Sequence, residues 1–387
     1  MRSSAALEHI STGTIIAVEH MATIEEQIRE IEDEITRTPY NKKSQHHIGR
    51  LKAKLARLKD NLETRRSKGG KGQGYSVKKS GHATVAIVGF PSVGKSTLLN
   101  KITNADSEVG SYQFTTLTVV PGEMEHRGAK IQLLDLPGLI KDASKGKGRG
   151  REVLSVVRSA DLILLMIDVF ETNLEVLVEE LRTANLRLNQ RPPDIVVSRK
   201  NRGGIGVNFT TAKPSLDEDL VRDMMNEYGF INADIVIRES IDEDQLIDNI
   251  SGNRIYVPGI VAVNKIDLVS KEYLRQLKNK KLKGWKVLPV SAENEVGLDE
   301  LKDAVFESLR LIRIYMKPQG KEADLVEPLV IKDGSDIGAV CESIHREFRK
   351  NFRYAQVWGR SARFPGQIVG LEHVVKDQDV VTIIVKR

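Results

Sequence analysis

The stretch that most limits what this chain can become is Gly89-Phe-Pro-Ser-Val-Gly94-Lys95-Ser96. It is a glycine-framed loop between the apolar run "ATVAIVGF" and the helical pattern "GKSTLLNKIT". A strand that feeds a helix through such a loop turns backbone N–H groups toward anionic oxygens at the helix N-terminus. Gly89, Ser92, Val93 and Gly94 are expected to offer that backbone, with Thr97 in the first helical turn. Lys95 reaches terminal phosphate oxygens and the Ser96 hydroxyl is a candidate Mg²⁺ ligand.

Once that loop is placed, the rest of the pattern reads as α/β. "AKIQLLDLP", the wholly apolar "ADLILLMIDVF", "GIVAVNKIDLV" and "WKVLPVSAEN" repeat a strand-then-loop unit, and "GLDELKDAVFESLRLIRIY" predicts a closing helix. Strands alternating with helices indicate a doubly wound, mostly parallel sheet, with the apolar "LILLMID" strand near its centre.

Each strand carries chemistry at its C-terminal end. Asp135 begins Asp-x-x-Gly and is expected to meet Mg²⁺ through water, while the Gly138 N–H meets a terminal phosphate. Asn264-Lys265-Ile-Asp267 follows a later strand. Asp267 can accept both the N1–H and the N2–H₂ of guanine, whereas adenine offers no such donor pair. Lys265 is expected to lie along the base plane, and Ser291-Ala292 to offer backbone N–H groups to guanine O6. Between loop and Asp135, "GSYQFTTLTVVPG" predicts a mobile segment whose Thr115, with Thr116 as alternative, completes the Mg²⁺ site and senses the terminal phosphate. The catalytic candidates are Lys95, Thr115, Asp135 and Gly138. The metal candidates are Ser96 and Thr115.

Outside that core, Ile24, Ile28, Ile31 and Ile35, then Leu51, Leu55, Leu58 and Leu62, recur at helical spacing on either side of Pro39. They predict a helical hairpin over 21–66. Between Arg37 and Lys79 fourteen basic residues face only Asp60 and Glu63, so this arm is +12 on a chain of net +6. A basic arm on an otherwise acidic chain points to a polyanion, and its attraction to the acidic first helix accounts for part of the charge. Residues 67–81 read as a Gly-rich linker. About a hundred residues separate Asp168 from Asn264, more than one crossover needs. They predict an inserted α+β domain over 171–254, including a hairpin around Gly203-Gly204. The nucleotide domain takes 82–170 and 255–312, and a β-rich module 313–387. Residues 1–20 read as a disordered extension.

The chain has no apolar run of membrane-spanning length and a single cysteine, Cys341. A cytoplasmic protein, with Cys341 as a buried apolar residue, is expected. Nothing in the sequence demands more than a monomer.

The motifs "GFPSVGKSTLLNKIT", "YQFTTLTVVPG", "LLDLPGLI…GKGRGRE" and "NKID", with the hairpin "TPYNKKSQHHIGRLKAKLARLK", resemble the developmentally regulated GTP-binding proteins, among the Obg-related translation-factor GTPases. That resemblance implies a P-loop GTPase using Mg²⁺, an insertion like the second domain of a small-subunit ribosomal protein, and a C-terminal TGS domain of ubiquitin-like fold. It also implies a ribosome or ribosomal-RNA partner. Leu139 stands where many GTPases carry a water-orienting glutamine, so slow turnover is expected. In related GTPases a bound K⁺ assists beside the phosphate loop, and the asparagine associated with it aligns with Ser92. Asp142, the ribosome or a protein partner are other candidates for positioning water. Lys141–Arg151 reads as a switch ordered by GTP. The alternatives in function are a GTP-dependent protein-interaction switch and a guanosine-polyphosphate-responsive regulator.

Overall fold

The computed structural model describes residues 24–41, 44–68, 81–103, 120–136, 156–280, 282 and 284–386. Thr115, Thr116, Gly138, Leu139, Asp142, the 67–81 linker beyond Lys68 and up to Ser80, and the Lys141–Arg151 switch lie outside the described residues. The chain forms two compact units. One joins Met1–Gly74 to Arg191–Arg254, and the other joins Tyr75–Gln190 to Ile255–Arg387.

In the larger unit, six strands are ordered β11-β10-β4-β1-β3-β2. They are β1 (Ala83–Gly89), β2 (Val120–His126), β3 (Ala129–Asp135), β4 (Leu162–Asp168), β10 (Gly259–Asn264) and β11 (Val287–Pro289). All neighbours are parallel except β2 and β3, joined by a tight turn at Arg127 (φ 51°) and Gly128 (φ 80°). Two consecutive left-handed residues match the right-handed twist of a two-residue hairpin. β1 and β4 are buried along their whole length, as near-continuous apolar strands covered on both faces must be.

Alternation sends Val85 and Ile87 to one face and Ala86 and Val88 to the other. The first face is covered by α3 (Lys95–Ile102) through Leu98, Leu99 and Ile102, together with a helix at Leu298–Ser308. Leu174, Leu177 and Leu181 of α4 (Leu174–Thr183) cover the second. α4 therefore belongs to this core rather than to the insertion, and the smaller unit takes up the chain at Arg191, not 171. After α4 the left-handed Asn185 (φ 69°) releases β5 (Leu186–Leu188), which pairs in parallel with β9 (Ile255–Val257).

The closing helix is shorter than the run "GLDELKDAVFESLRLIRIY" predicts. It stops at Ser308, Arg310 turns left-handed (φ 52°), and Leu311–Met316 is strand β12. Residues 311–315, "LIRIY", carry alternating β-branched side chains, and pairing on two sides outweighs the helical spacing. β12 pairs parallel with β16 (Asp379–Val385) and antiparallel with β13 (Leu329–Lys332). β14 (Phe352–Trp358) and β15 (Gln367–Val369) complete the order β13-β12-β16-β14-β15, the ubiquitin-like arrangement. Cys341 is fully buried in the core of this sheet, and burial pushes its thiol up to about 11.

In the smaller unit, β6 (Ile195–Arg199) and β7 (Ile205–Phe209) do not form the hairpin expected around Gly203-Gly204. Both flank β8 (Ala233–Ile237), antiparallel and parallel respectively. The sequence spacing suits a hairpin, but β8 is buried at Ala233, Ile235 and Ile237 and takes the central place. Asp217 caps α5 (Glu218–Glu227), and an Asp242–Gln245 capping box starts α6 (Glu243–Ser251).

The hairpin belongs to this same unit. Its helices are α1 (residues 24–37) and α2 (Gln45–Lys68). Ala53 enters the core formed by β6–β8, α5 and α6, and Gly49 lets α2 approach so closely that a β-carbon there would lie 2.8 Å from Leu220 Cδ1. Part of the charge on α2 is answered within the unit. Arg50 pairs with Asp223 and Glu227, Lys52 with Glu243 and Asp244, and Lys59 with Glu32. Arg50 and Lys52 thus fasten α2 to the insertion, and Lys59 ties it to α1.

Candidate nucleotide site

The loop between β1 and α3 is built by close approach. A β-carbon on Gly89 would sit 2.2 Å from the Met166 carbonyl oxygen of neighbouring β4, and one on Gly94 2.4 Å from Asn264 Nδ2. Gly94 (φ 93°) and Ser92 (φ 64°) both turn left-handed. α3 starts on Gly94 without a side-chain cap, so its first N–H groups are available to an anion.

Lys95 folds back on this loop, donating from Nζ to the carbonyls of Gly89 (3.1 Å) and Phe90 (2.9 Å). Burial lowers the pKa of its ammonium, and the Asp135 carboxylate opposes that shift. Ser96 Oγ donates to Asp135 Oδ2 at 2.7 Å. Asp135 is 5% exposed, and among the described residues its Oδ1 is buried with no hydrogen-bond partner. A buried carboxylate oxygen left unanswered is costly unless a cation or its water shell answers it. A hydroxyl and a carboxylate are the hard oxygen donors Mg²⁺ selects, so these residues fit that ion.

On the base side, Asn264 joins three loops. Its Nδ2 donates to Val93 O (2.9 Å) and its Oδ1 accepts from Ala292 N (2.9 Å). Ser291, fully buried, donates through Oγ to Asp267 Oδ1 at 2.5 Å and so fixes the plane of that carboxylate. Lys265 is left-handed (φ 63°) and donates from Nζ to Ser92 O (2.9 Å) and Asp168 Oδ2 (2.6 Å).

The structure therefore brings together Gly89, Ser92, Val93, Gly94, Lys95, Ser96, Asp135, Asn264, Lys265, Asp267, Ser291 and Ala292 at the C-terminal ends of β1, β3, β4, β10 and β11. Thr97 lies one residue further into α3. Sequence reasoning missed Asp168, although its signal was present: like Asp135, it is a lone carboxylate ending an apolar strand. Asp168 Oδ1 accepts from Phe170 N (2.9 Å) and Glu171 N (2.7 Å). Burial opposes its ionisation, but the bonds from Lys265, Glu171 and Phe170 hold the carboxyl below its ordinary value.

A phosphate loop, a buried carboxylate behind it and a base-reading loop, all at one end of a parallel sheet, define a P-loop GTPase. Residues 84–199 match the family described as 50S ribosome-binding GTPase, 202–311 the C-terminal region of that domain, and 312–385 the TGS domain. The chain is 56% identical over 366 residues to an uncharacterized GTP-binding protein of Methanocaldococcus jannaschii, covering 94% of this chain and 93% of that one. It is 47% identical to developmentally-regulated G-protein 3 of Arabidopsis thaliana (95% and 100% covered) and 43% identical to developmentally-regulated GTP-binding protein 2 of Homo sapiens (93% and 99%). The chain belongs to the developmentally regulated GTP-binding protein family, and is a GTP-binding GTPase. Among solved structures, the YchF GTPase of Schizosaccharomyces pombe is similar at a TM-score of 0.45 and 15% identity, covering 79% of this chain and 99% of that one. Among the described residues no helix is long and apolar enough to cross a membrane.

Proposed function

We propose that the protein is a Mg²⁺-dependent GTPase of low intrinsic turnover that acts with the ribosome or its RNA in the cytoplasm. The observation that carries the guanine reading is the Ser291–Asp267 bond, which holds one carboxylate ready for the paired donors of the base. Ser96 and the unanswered Asp135 Oδ1 support Mg²⁺, which would neutralise charge developing between the outer phosphates. Lys95 leaves its two loop carbonyls to meet phosphate oxygens, while the N–H groups at the start of α3 hold the phosphates in place. Thr115 and Gly138 complete the proposed catalytic set.

Low turnover rests on Leu139, which has no group to orient water. For K⁺, the candidate donors beside the phosphate loop are the Ser92 hydroxyl and backbone carbonyls, and Lys265 already donates to the Ser92 carbonyl. K⁺ assistance therefore rests on a serine where the related GTPases carry asparagine. Equal GTPase rates in K⁺ and Na⁺ at matched ionic strength would remove it.

The ribosomal reading is supported by the family description matching 84–199. The pairing of Arg50, Lys52 and Lys59 narrows the basic surface on which it first relied. In a second reading, GTP selects a conformation recognised by a protein partner. Co-sedimentation with ribosomes in GDP, GTP and a non-hydrolysable analogue, across a salt series, separates them. Nucleotide-dependent, salt-sensitive binding is expected. Binding indifferent to both nucleotide and salt would defeat the ribosomal reading.

A further inference from the structure

Asp168 is used by no step above, yet it is placed with unusual care. In the β4–β10 register it lies directly opposite Asn264, one residue before Lys265. Both of its oxygens are engaged: Oδ1 by the N–H groups of Phe170 and Glu171, Oδ2 by Lys265 Nζ at 2.6 Å. Its side chain is 6% exposed against 33% for Lys265. The carboxylate is therefore fixed, and the lysine is the partner that must conform to it.

Lys265 reaches this position from a left-handed backbone that non-glycine residues seldom adopt. Its ammonium is gripped from two sides, by Asp168 and by the carbonyl of Ser92, itself a left-handed residue in the phosphate loop. A flexible four-carbon stem tied at both ends loses its rotamer freedom before any ligand arrives, which lowers the ordering cost of binding. Without Asp168 the ammonium would keep one neutral acceptor, and the stem and the bend at Ser92 would both loosen.

Resting on the guanine-nucleotide reading, we propose that Asp168 is a positioning residue for the nucleotide. By pinning Lys265 Nζ against the Ser92 carbonyl, it stretches the lysine stem into a platform for the base and ties the base-reading loop to the phosphate loop. The two bonds to Phe170 and Glu171 serve to hold the carboxylate still.

The test uses the full chain with GDP followed by calorimetry. Asp168→Asn keeps an oxygen for the two backbone N–H groups but turns a like-polarity amide toward Lys265. Asp168→Glu keeps the charge and gives up the backbone bonds. If the charge positions Lys265, Asp168→Asn weakens GDP by about tenfold or more, and Asp168→Glu binds more tightly than Asp168→Asn. If Asp168 merely caps its own turn, that order reverses and the proposal is overturned. In a Lys265→Met background Asp168→Asn adds no further loss, whereas full additivity overturns the proposal. For GTP turnover the change falls on KM with kcat at saturation kept, as for uniform binding; a fall confined to kcat overturns it. Wild-type protein that fails to bind GDP defeats the nucleotide reading itself. Wild-type binding matched by Asp168→Asn defeats this inference alone.

Discussion

Gly94 and Asn264 meet so closely that a β-carbon on Gly94 would lie 2.4 Å from Asn264 Nδ2, the atom that donates to Val93 O. Phosphate loop and base loop are therefore registered to each other by one absent side chain and one amide. Gly94→Ala is expected to abolish measurable GDP binding, since it also strains a backbone at φ 93°. Asn264→Ala strands the Val93 carbonyl and the Ala292 N–H, and should cost about 1–3 kcal/mol of stability. Calorimetry and denaturant unfolding check the two outcomes.

The proposed base choice rests on Asp267 and on the Ser291 hydroxyl bonded to it. Asp267→Asn replaces an acceptor of two guanine donors by a group that can accept only one, and should weaken GDP by about a hundredfold or more. Ser291→Ala leaves the carboxylate in place but frees its plane, so a smaller loss, about tenfold, is expected. Competition of GTP against ATP reads both. ATP bound as firmly as GTP by the wild type would sink the guanine reading.

In the TGS domain, Asp377 accepts from Arg313 N (2.8 Å), Nε (3.2 Å) and Nη2 (2.8 Å). Burial works against its ionised form, but these bonds hold the carboxyl below its ordinary value of 3.8. A carboxyl whose folded pKa is depressed contributes stability above its unfolded value and loses it as pH falls through the folded one. Asp377→Asn should therefore lower the thermal midpoint of the full chain at pH 6. The gap to wild type should close as pH drops below 3.8. A gap unchanged between pH 6 and pH 2 would count against the pair.

The α2 fastening centres on Glu243, 4% exposed, which accepts from Tyr40 Oη (3.1 Å) and Gln45 Nε2 (2.9 Å) with Lys52 Nζ at 3.8 Å. Glu243→Ala leaves three polar groups of the hairpin without their shared acceptor and should cost about 1–3 kcal/mol. Proteolysis is expected to cut the hairpin faster in this variant. An unchanged cleavage rate would mean that Ala53 and its apolar neighbours hold α2 unaided.

The parallel nucleotide sheet was legible because local pattern and tertiary role coincide there: apolar strands buried on both faces read as apolar runs, and each motif sits where a strand must end. Where several partners compete for one segment, pattern misleads. Residues 311–315 carry helical spacing but find strands on two sides, and the spacing of β6 and β7 suits a hairpin until β8 takes the place between them.

The order of the loop, Asp135, the Asn264–Asp267 segment and Ser291 along the chain was enough to propose what the protein binds, because each contributes a chemical group whose identity is covalent. Only the fold decided how those groups are held. That Lys265 answers to Asp168, that Asn264 spans to Val93, and that Arg50 and Lys52 of α2 spend their charge on acidic helices nearly two hundred residues away are facts of distance. Electrostatics and hydrogen bonding act over a few ångströms, and no linear pattern states which residues the chain will bring that close.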